Sequence, residues 1–218
     1  AAYIDDMRAR LGDAADTFVI AAEGAYDAQF EDYDVSYFRS ASPHHRPVGR
    51  MLRPGARIVT ALTGFDEHGM IAQSLLDGYA MSLEPFNFKG RPADMPATVE
   101  RARRAEDVRR RYAEWLWNGE LVADAAVTVT AADASGSAAL VRHTVWRRGQ
   151  DDSSRVVVVA NFGDAPVRVR MAGLPAGSLI VRLDGSADTS LDATDAILTI
   201  DPRDAAVVVP PTDPIGTT

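Results

Sequence analysis

Cysteine is absent from this 218-residue chain, which excludes disulfides, thiolate metal sites and cysteine nucleophiles. Lysine is almost absent. Lys89 stands alone among 23 basic residues, the rest being Arg, a bias that fits GC-rich coding sequence. Glutamate stops at Glu120. No apolar run reaches the ~18 residues of a membrane span, and no signal-peptide pattern is present. No basic stretch is free of acids, and the net charge is -8. Such a chain is a poor match for nucleic acid. GxGxxG, P-loop, HExxH and GxSxG patterns are missing, which weakens nucleotide, zincin and serine-hydrolase readings. Neither a cofactor nor a metal is expected.

What remains is an ordinary globular balance, 46% hydrophobic and 25% charged, too apolar for a disordered chain. The chain opens Ala-Ala rather than on Met.

The patterning changes near residue 120. Before it, helices alternate with strands. Residues 2–11 carry Ile4, Met7 and Leu11 at helical spacing, with Gly12 as a stop. Thr17–Ala22 is a short apolar run that suits a strand buried on both faces. A helix is expected over 26–39, then a polar loop holding Pro43, His44, His45, Pro47, Pro54 and Gly55. Residues 57–62 read as a second buried strand, 70–79 as a helix, 80–84 as a third strand. Residues 96–117 form a long amphipathic helix with Pro96 in its first turn. Strand–helix alternation implies βαβ units and a parallel sheet. Three units fall short of the ~250 residues of a (β/α)₈ barrel. The leading helix, with no strand before it, is expected to belong to an earlier unit outside this chain.

After residue 120 the pattern is all strand: 126–131, 139–148, 155–161, 167–171, 178–183, 196–200 and 205–209, separated by Gly, Asp and Pro turns. This spacing predicts an antiparallel sandwich. Residues 212–218 read as a tail. The expected organisation is 1–120, 121–211 and 212–218.

Acids follow the parallel strands three times, where a barrel keeps its chemistry. Glu23 follows the first strand, Asp66 and Glu67 the second, and Glu84 ends the third. Glycoside hydrolysis needs two carboxyl groups, one protonating the leaving oxygen and the other acting as nucleophile or activating water. Glu23, Glu84 and Asp66 are the catalytic candidates. Tyr26, Asp27, Phe65, Asn87 and Lys89 are the substrate-binding candidates, the rings offering stacking surfaces and Lys89 a cation for a carboxylate or hydroxyl. Each has a plainer role: helix caps for Asp27 and Asp66, a solvated loop cation for Lys89. His44-His45 and His68 make weak metal sites, His143 reads as a structural strand residue, and Trp115 and Trp117 as packing residues.

The stretch Val156-Val-Val-Val-Ala-Asn-Phe-Gly-Asp-Ala-Pro-Val-Arg-Val169 resembles the C-terminal sandwich of amylase-type barrel glycoside hydrolases. Ala22-Glu-Gly-Ala-Tyr-Asp27, Leu62-Thr-Gly-Phe-Asp66 and Leu83-Glu-Pro-Phe-Asn-Phe-Lys-Gly90 are similar to the closing units of an uncharacterised bacterial glycoside-hydrolase-like barrel family. The resemblance implies α/β followed by all-β: the last three βα units of a TIM-type barrel, strands six to eight, plus an antiparallel β-sandwich. It implies an oligo- or polysaccharide substrate, a partner in the missing N-terminal part of the barrel, Glu23 as acid/base, and an isolated piece that is inactive. The second strand ends in Thr63-Gly64 rather than Glu, a departure from barrels whose key pair lies on strands four and seven. Two other classes fit the same residues: a non-catalytic carbohydrate-binding or scaffold protein, and a small complete α/β enzyme. The lack of cysteine suits cytosol and secretion alike.

Overall fold

The computed structural model describes residues 2–23, 32–38, 42, 44–64, 67–122, 127–132, 140–149, 154–191 and 194–211. Helix α1 (Ala2–Leu11) lies where the apolar spacing puts it, with Ile4 buried. Strand β1 is only Ala21–Glu23, shorter than the apolar run before it. Phe18 and Val19 are 50% and 60% exposed, against the expectation of burial on both faces. The reason is position: β1 is the outer strand of its sheet and pairs on one side only among the described residues.

The expected helix over 26–39 is corrected. Val35–Phe38 is strand β2, parallel to β1 in the register Ala21↔Val35 and Glu23↔Tyr37. Its Val-Ser-Tyr-Phe composition suits a pleated surface better than a helix. Residues 26–31 and 39 of that span lie outside the described residues. A short helix α2 (Val48–Leu52) replaces part of the expected polar loop. Its buried Arg50 donates hydrogen bonds to the carbonyls of Pro54 and Ala56.

Strand β3 (Ile58–Leu62), helix α3 (Glu67–Asp77) and strand β4 (Ala80–Leu83) follow as the pattern indicates. The parallel sheet thus has four strands rather than three, in the strict order β1-β2-β3-β4. Sequential order without a reversal leaves no switch point of the doubly wound kind. The long C-terminal helix is divided at Tyr112 into α4 (Pro96–Arg111) and α5 (Ala113–Leu116). Trp115 packs against the core and donates to the Ser154 carbonyl at 3.1 Å. Trp117 is 44% exposed, with the Arg109 guanidinium over its ring.

The rest of the chain is antiparallel. The strands are β5 (Glu120–Val122), β6 (Thr128–Ala131), β7 (Val141–Arg147), β8 (Arg155–Asn161), β9 (Val167–Ala172), β10 (Leu179–Arg182), β11 (Thr189–Ser190), β12 (Asp195–Ile200) and β13 (Asp204–Val209). Six of them form one sheet, β11-β10-β13-β8-β7-β5, and three another, β12-β9-β6.

Two-residue alternation explains the continuous valine runs. On β8, Val156, Val158 and Ala160 face the helices, while Val157 and Val159 face the three-stranded sheet. On β13, Val207 and Val209 point one way and Ala206 and Val208 the other. Each strand is covered on both sides, and the polar residues Arg155, Asn161 and Asp204 stand only at the strand ends. Helix α3 is the wedge between the layers. From Met70 to Tyr79 every residue is buried, packed toward β3 on one side and toward β8 and β13 on the other. A helix enclosed all round is apolar all round; here Gln73, Ser74 and Asp77 are the exceptions.

Candidate functional site

Strand geometry decides which side chains meet. Register partners in a sheet share a face, and the face alternates along each strand. Leu62 and Met81 join the core formed with α3. Their neighbours Ala61 and Ser82 are register partners and therefore face the opposite side. The alternation carries through to Glu84, whose N–H still bonds the Leu62 carbonyl at 2.9 Å. Tyr37 pairs with Val59 and with Glu23. Glu23, Tyr37 and Glu84 thus share the face turned away from α3, and Glu23 and Glu84 stand at the C-terminal edge of the strands.

Tyr37 and Glu84 touch. The Tyr37 hydroxyl donates to Glu84 Oε1. They belong to β2 and to the residue after β4, so the bond crosses β3 and about 10 Å of strand spacing. Between them on that face stand Val59 and Ala61 of β3. Glu84 is 3% exposed, whereas Glu23 is exposed.

The turn after Glu84 is unusual. Phe86, Asn87 and Phe88 all have positive φ, at 49°, 56° and 65°, a single left-handed turn of non-glycine residues. Each such residue costs on the order of 1–3 kcal/mol and persists only where its surroundings enforce it. Here they do. Phe86 N–H bonds the Thr63 carbonyl at 2.7 Å, and the N–H groups of Lys89 and Gly90 both bond Pro85 O. The Phe86 ring is held between Gly64 and Gly90, where an added Cβ would lie 2.9 Å and 2.5 Å from it. Asn87 and Lys89 ride on this turn, both exposed. Tyr26, Asp27, Phe65 and Asp66 lie outside the described residues.

Pattern reading missed Tyr37 as the partner of Glu84, because it placed that residue in a helix. The signal available was the run Val35-Ser-Tyr-Phe38 itself, β-branched and aromatic.

A second ionisable cluster lies at the opposite end of the sheet, before β4. Asp77, wholly buried, accepts from Arg142 Nη2 at 2.7 Å. His45 Nε2 lies 3.8 Å from the other oxygen of Asp77 and shares a 2.8 Å hydrogen bond with the Tyr79 hydroxyl. Burial pushes the Asp77 carboxyl up to about 7, with Arg142 opposing. Burial, aided by Arg142 and Arg46, pulls His45 down to about 4. Arg109 is buried too, lowered to about 10 chiefly by burial, and donates to the Ser74 carbonyl at 3.0 Å. These groups join layers. The Thr144 hydroxyl beside them bonds the Leu76 carbonyl at 2.6 Å. Among the described residues no three metal-ligating side chains come together; Asp66, which the sequence sets beside His68, lies outside them. His143 lies on β7. Among the described residues no helix is long and apolar enough to cross a membrane.

No family model matches the sequence, and no curated protein does. The fold matches solved structures. An α-amylase from Anoxybacillus, described as a new glycosyl hydrolase subclass, superposes with a TM-score of 0.62 at 11% identity, over 96% of this chain and 56% of that one. The α-amylase from Geobacillus thermoleovorans, solved with acarbose, gives 0.59 at 11% identity, over 95% and 56%. A β-L-arabinopyranosidase from Geobacillus stearothermophilus gives 0.57 at 10% identity, over 98% and 54%. The chain spans about half the length of these structures, and its fold is glycoside-hydrolase-like.

Proposed function

We propose that this chain is the C-terminal part of a carbohydrate-active (β/α)₈ enzyme that hydrolyses glycosidic bonds. The observation that carries the reading is the placement of Glu23 and Glu84. Both stand at the C-terminal edge of parallel strands, on the face away from the helices, where barrel enzymes keep their chemistry. Four parallel strands in sequential order are half of an eight-stranded barrel. With β4 as its last strand, β1 is the fifth rather than the sixth. Residues 121–211 then form the accompanying sandwich. The strands that pair with β1 and β4 are supplied by further βα units.

In this reading Glu23 is the acid/base. As a carboxylic acid it passes its proton to the glycosidic oxygen while the bond from C1 breaks, the bonding pair leaving on that oxygen. A carboxylate on the other side either takes a proton from the water that bonds C1, or itself bonds C1 and is then displaced when a water, giving its proton to Glu23, attacks that carbon. One water is consumed and two hydroxyl-terminated saccharides result. Tyr26, Asp27 and Phe65 follow β1 and β3 in the chain, with Asn87 and Lys89 following β4; they contribute stacking surfaces and polar contacts to the sugar. Asp66, after β3, is the third acid of the site.

The test is hydrolysis by a polypeptide that extends this chain upstream through the remaining βα units, assayed on aryl glycosides and oligosaccharides. Glu23→Gln is expected to lower kcat/KM by roughly 10²–10⁴. Equal rates for the two proteins would remove Glu23 from the chemistry. Saccharide binding with no turnover by the unaltered protein would favour a non-catalytic carbohydrate-binding role.

A further inference from the structure

We infer that Tyr37 is a positioning residue that fixes the direction of the Glu84 carboxyl group, the second acid of the site. The inference rests on the proposed glycosidic reading and deepens it.

Three constraints converge on Glu84. Its N–H is tied to β3 through the Leu62 carbonyl, and its own carbonyl accepts from Asn87 N–H at 3.1 Å. The residues just after it are locked in the left-handed turn, with Phe86 wedged between two glycines. Its side chain is met by the Tyr37 hydroxyl, arriving from two strands away. A backbone fixed on both sides and a carboxylate gripped at one oxygen give a group whose direction is set before any substrate arrives. Such preorganisation is what a reacting carboxylate requires.

Glu84 then serves as the nucleophile or base opposite C1, with Glu23 as the acid. Tyr37 itself bonds no substrate atom in this scheme, and it acts only through Glu84.

Two measurements test it. In this 218-residue chain, proton NMR should show a hydrogen-bonded Tyr37 hydroxyl resonance far downfield. It should vanish in Tyr37→Phe and move upfield in Glu84→Gln, where the acceptor is neutral. No such resonance in the unaltered chain overturns the contact and the inference. In the extended, hydrolytic polypeptide, Tyr37→Phe should lower kcat about tenfold with KM changed less than twofold. An unchanged kcat reduces Tyr37 to a packing contact while hydrolysis stands. An extended protein that shows the resonance but hydrolyses nothing sinks the glycosidic reading, and the role of Tyr37 with it. Folding of each variant is checked by its melting curve, since Tyr37→Phe removes a single oxygen.

Discussion

Asp77 and Arg142 meet at 2.7 Å with almost no solvent on either, the first at the end of α3 and the second on β7. The bond fastens the helix layer to the six-stranded sheet. The two partners differ in what they can do alone. A buried carboxyl can take up a proton, whereas a guanidinium stays charged.

Above pH 7, where the Asp77 carboxyl is ionised, Asp77→Asn is therefore expected to cost more than Arg142→Met. The first strands a buried cation and should lose about 3–5 kcal/mol. The second leaves an acid that turns neutral and should lose clearly less. Urea unfolding of both variants and of the double variant measures the asymmetry. Equal losses would show that the charge on Arg142 finds other partners.

Acidity acts on the same cluster through two opposed groups. Asp77 is raised to about 7 in the folded protein. Its contribution is complete below the usual carboxylate range and is lost as pH rises through 7. His45 is lowered to about 4. Its contribution is complete above the usual histidine value of 6.5 and is lost as pH falls through 4. Between pH 4 and 6.5 the two slopes oppose each other, each worth on the order of 3 kcal/mol over its range. Unfolding free energy is expected to be nearly flat across that window. In His45→Gln only the Asp77 slope remains, and stability should fall steadily as pH rises from 4 to 7. A flat curve for that variant would refute the opposition.

The Phe86 wedge gives a third test. Gly90→Ala puts a Cβ into the Phe86 ring, and Gly64→Ala does so at a φ of 88°. Overpacking of this kind costs ~1–3 kcal/mol. Gly64→Ala should cost more, because the left-handed backbone adds about 1–2 kcal/mol. Thermal melts rank the two. The reverse order would mean that the ring yields more easily at Gly64.

Core position separates two aliphatic truncations. Leu75 on α3 is 1% exposed, and Ile197 on β12 is 47% exposed. Leu75→Ala should lose about 2–5 kcal/mol. Ile197→Ala should stay within roughly 0.5 kcal/mol. Denaturant midpoints with unchanged slopes would report both.

Much of this architecture is written in local pattern. Helix α1, β3, α4, β8 and β13 follow from spacing, because each hides a face or a whole run of apolar residues from water. Glu23 and Glu84 could be placed at strand ends for the same reason. Strand β2 could not be read so easily. Four residues carry too little periodicity to choose between a helix and a strand, and the choice was made by the open sides of β1 and β3. Tyr37 went with it. The burial of Asp77 was equally hidden, since its partner Arg142 is 65 residues away in sequence and nothing in α3 announces it. Short β5 and β11 escaped for want of length.

The enclosure of α3 has a consequence for the order of events in the cell. Its neighbours on one side, β3 and β4, leave the ribosome with it. Those on the other, β8 and β13, come much later; β13 begins at Asp204. At ~5–20 residues per second, the about 130 residues between α3 and β13 take on the order of ten seconds to synthesise. Throughout that interval Ile71, Leu75 and Leu76 have only part of their final cover. The nascent chain must wait with its most apolar helix half-wrapped, and its yield in a host depends on what shields that helix until the last strand is made.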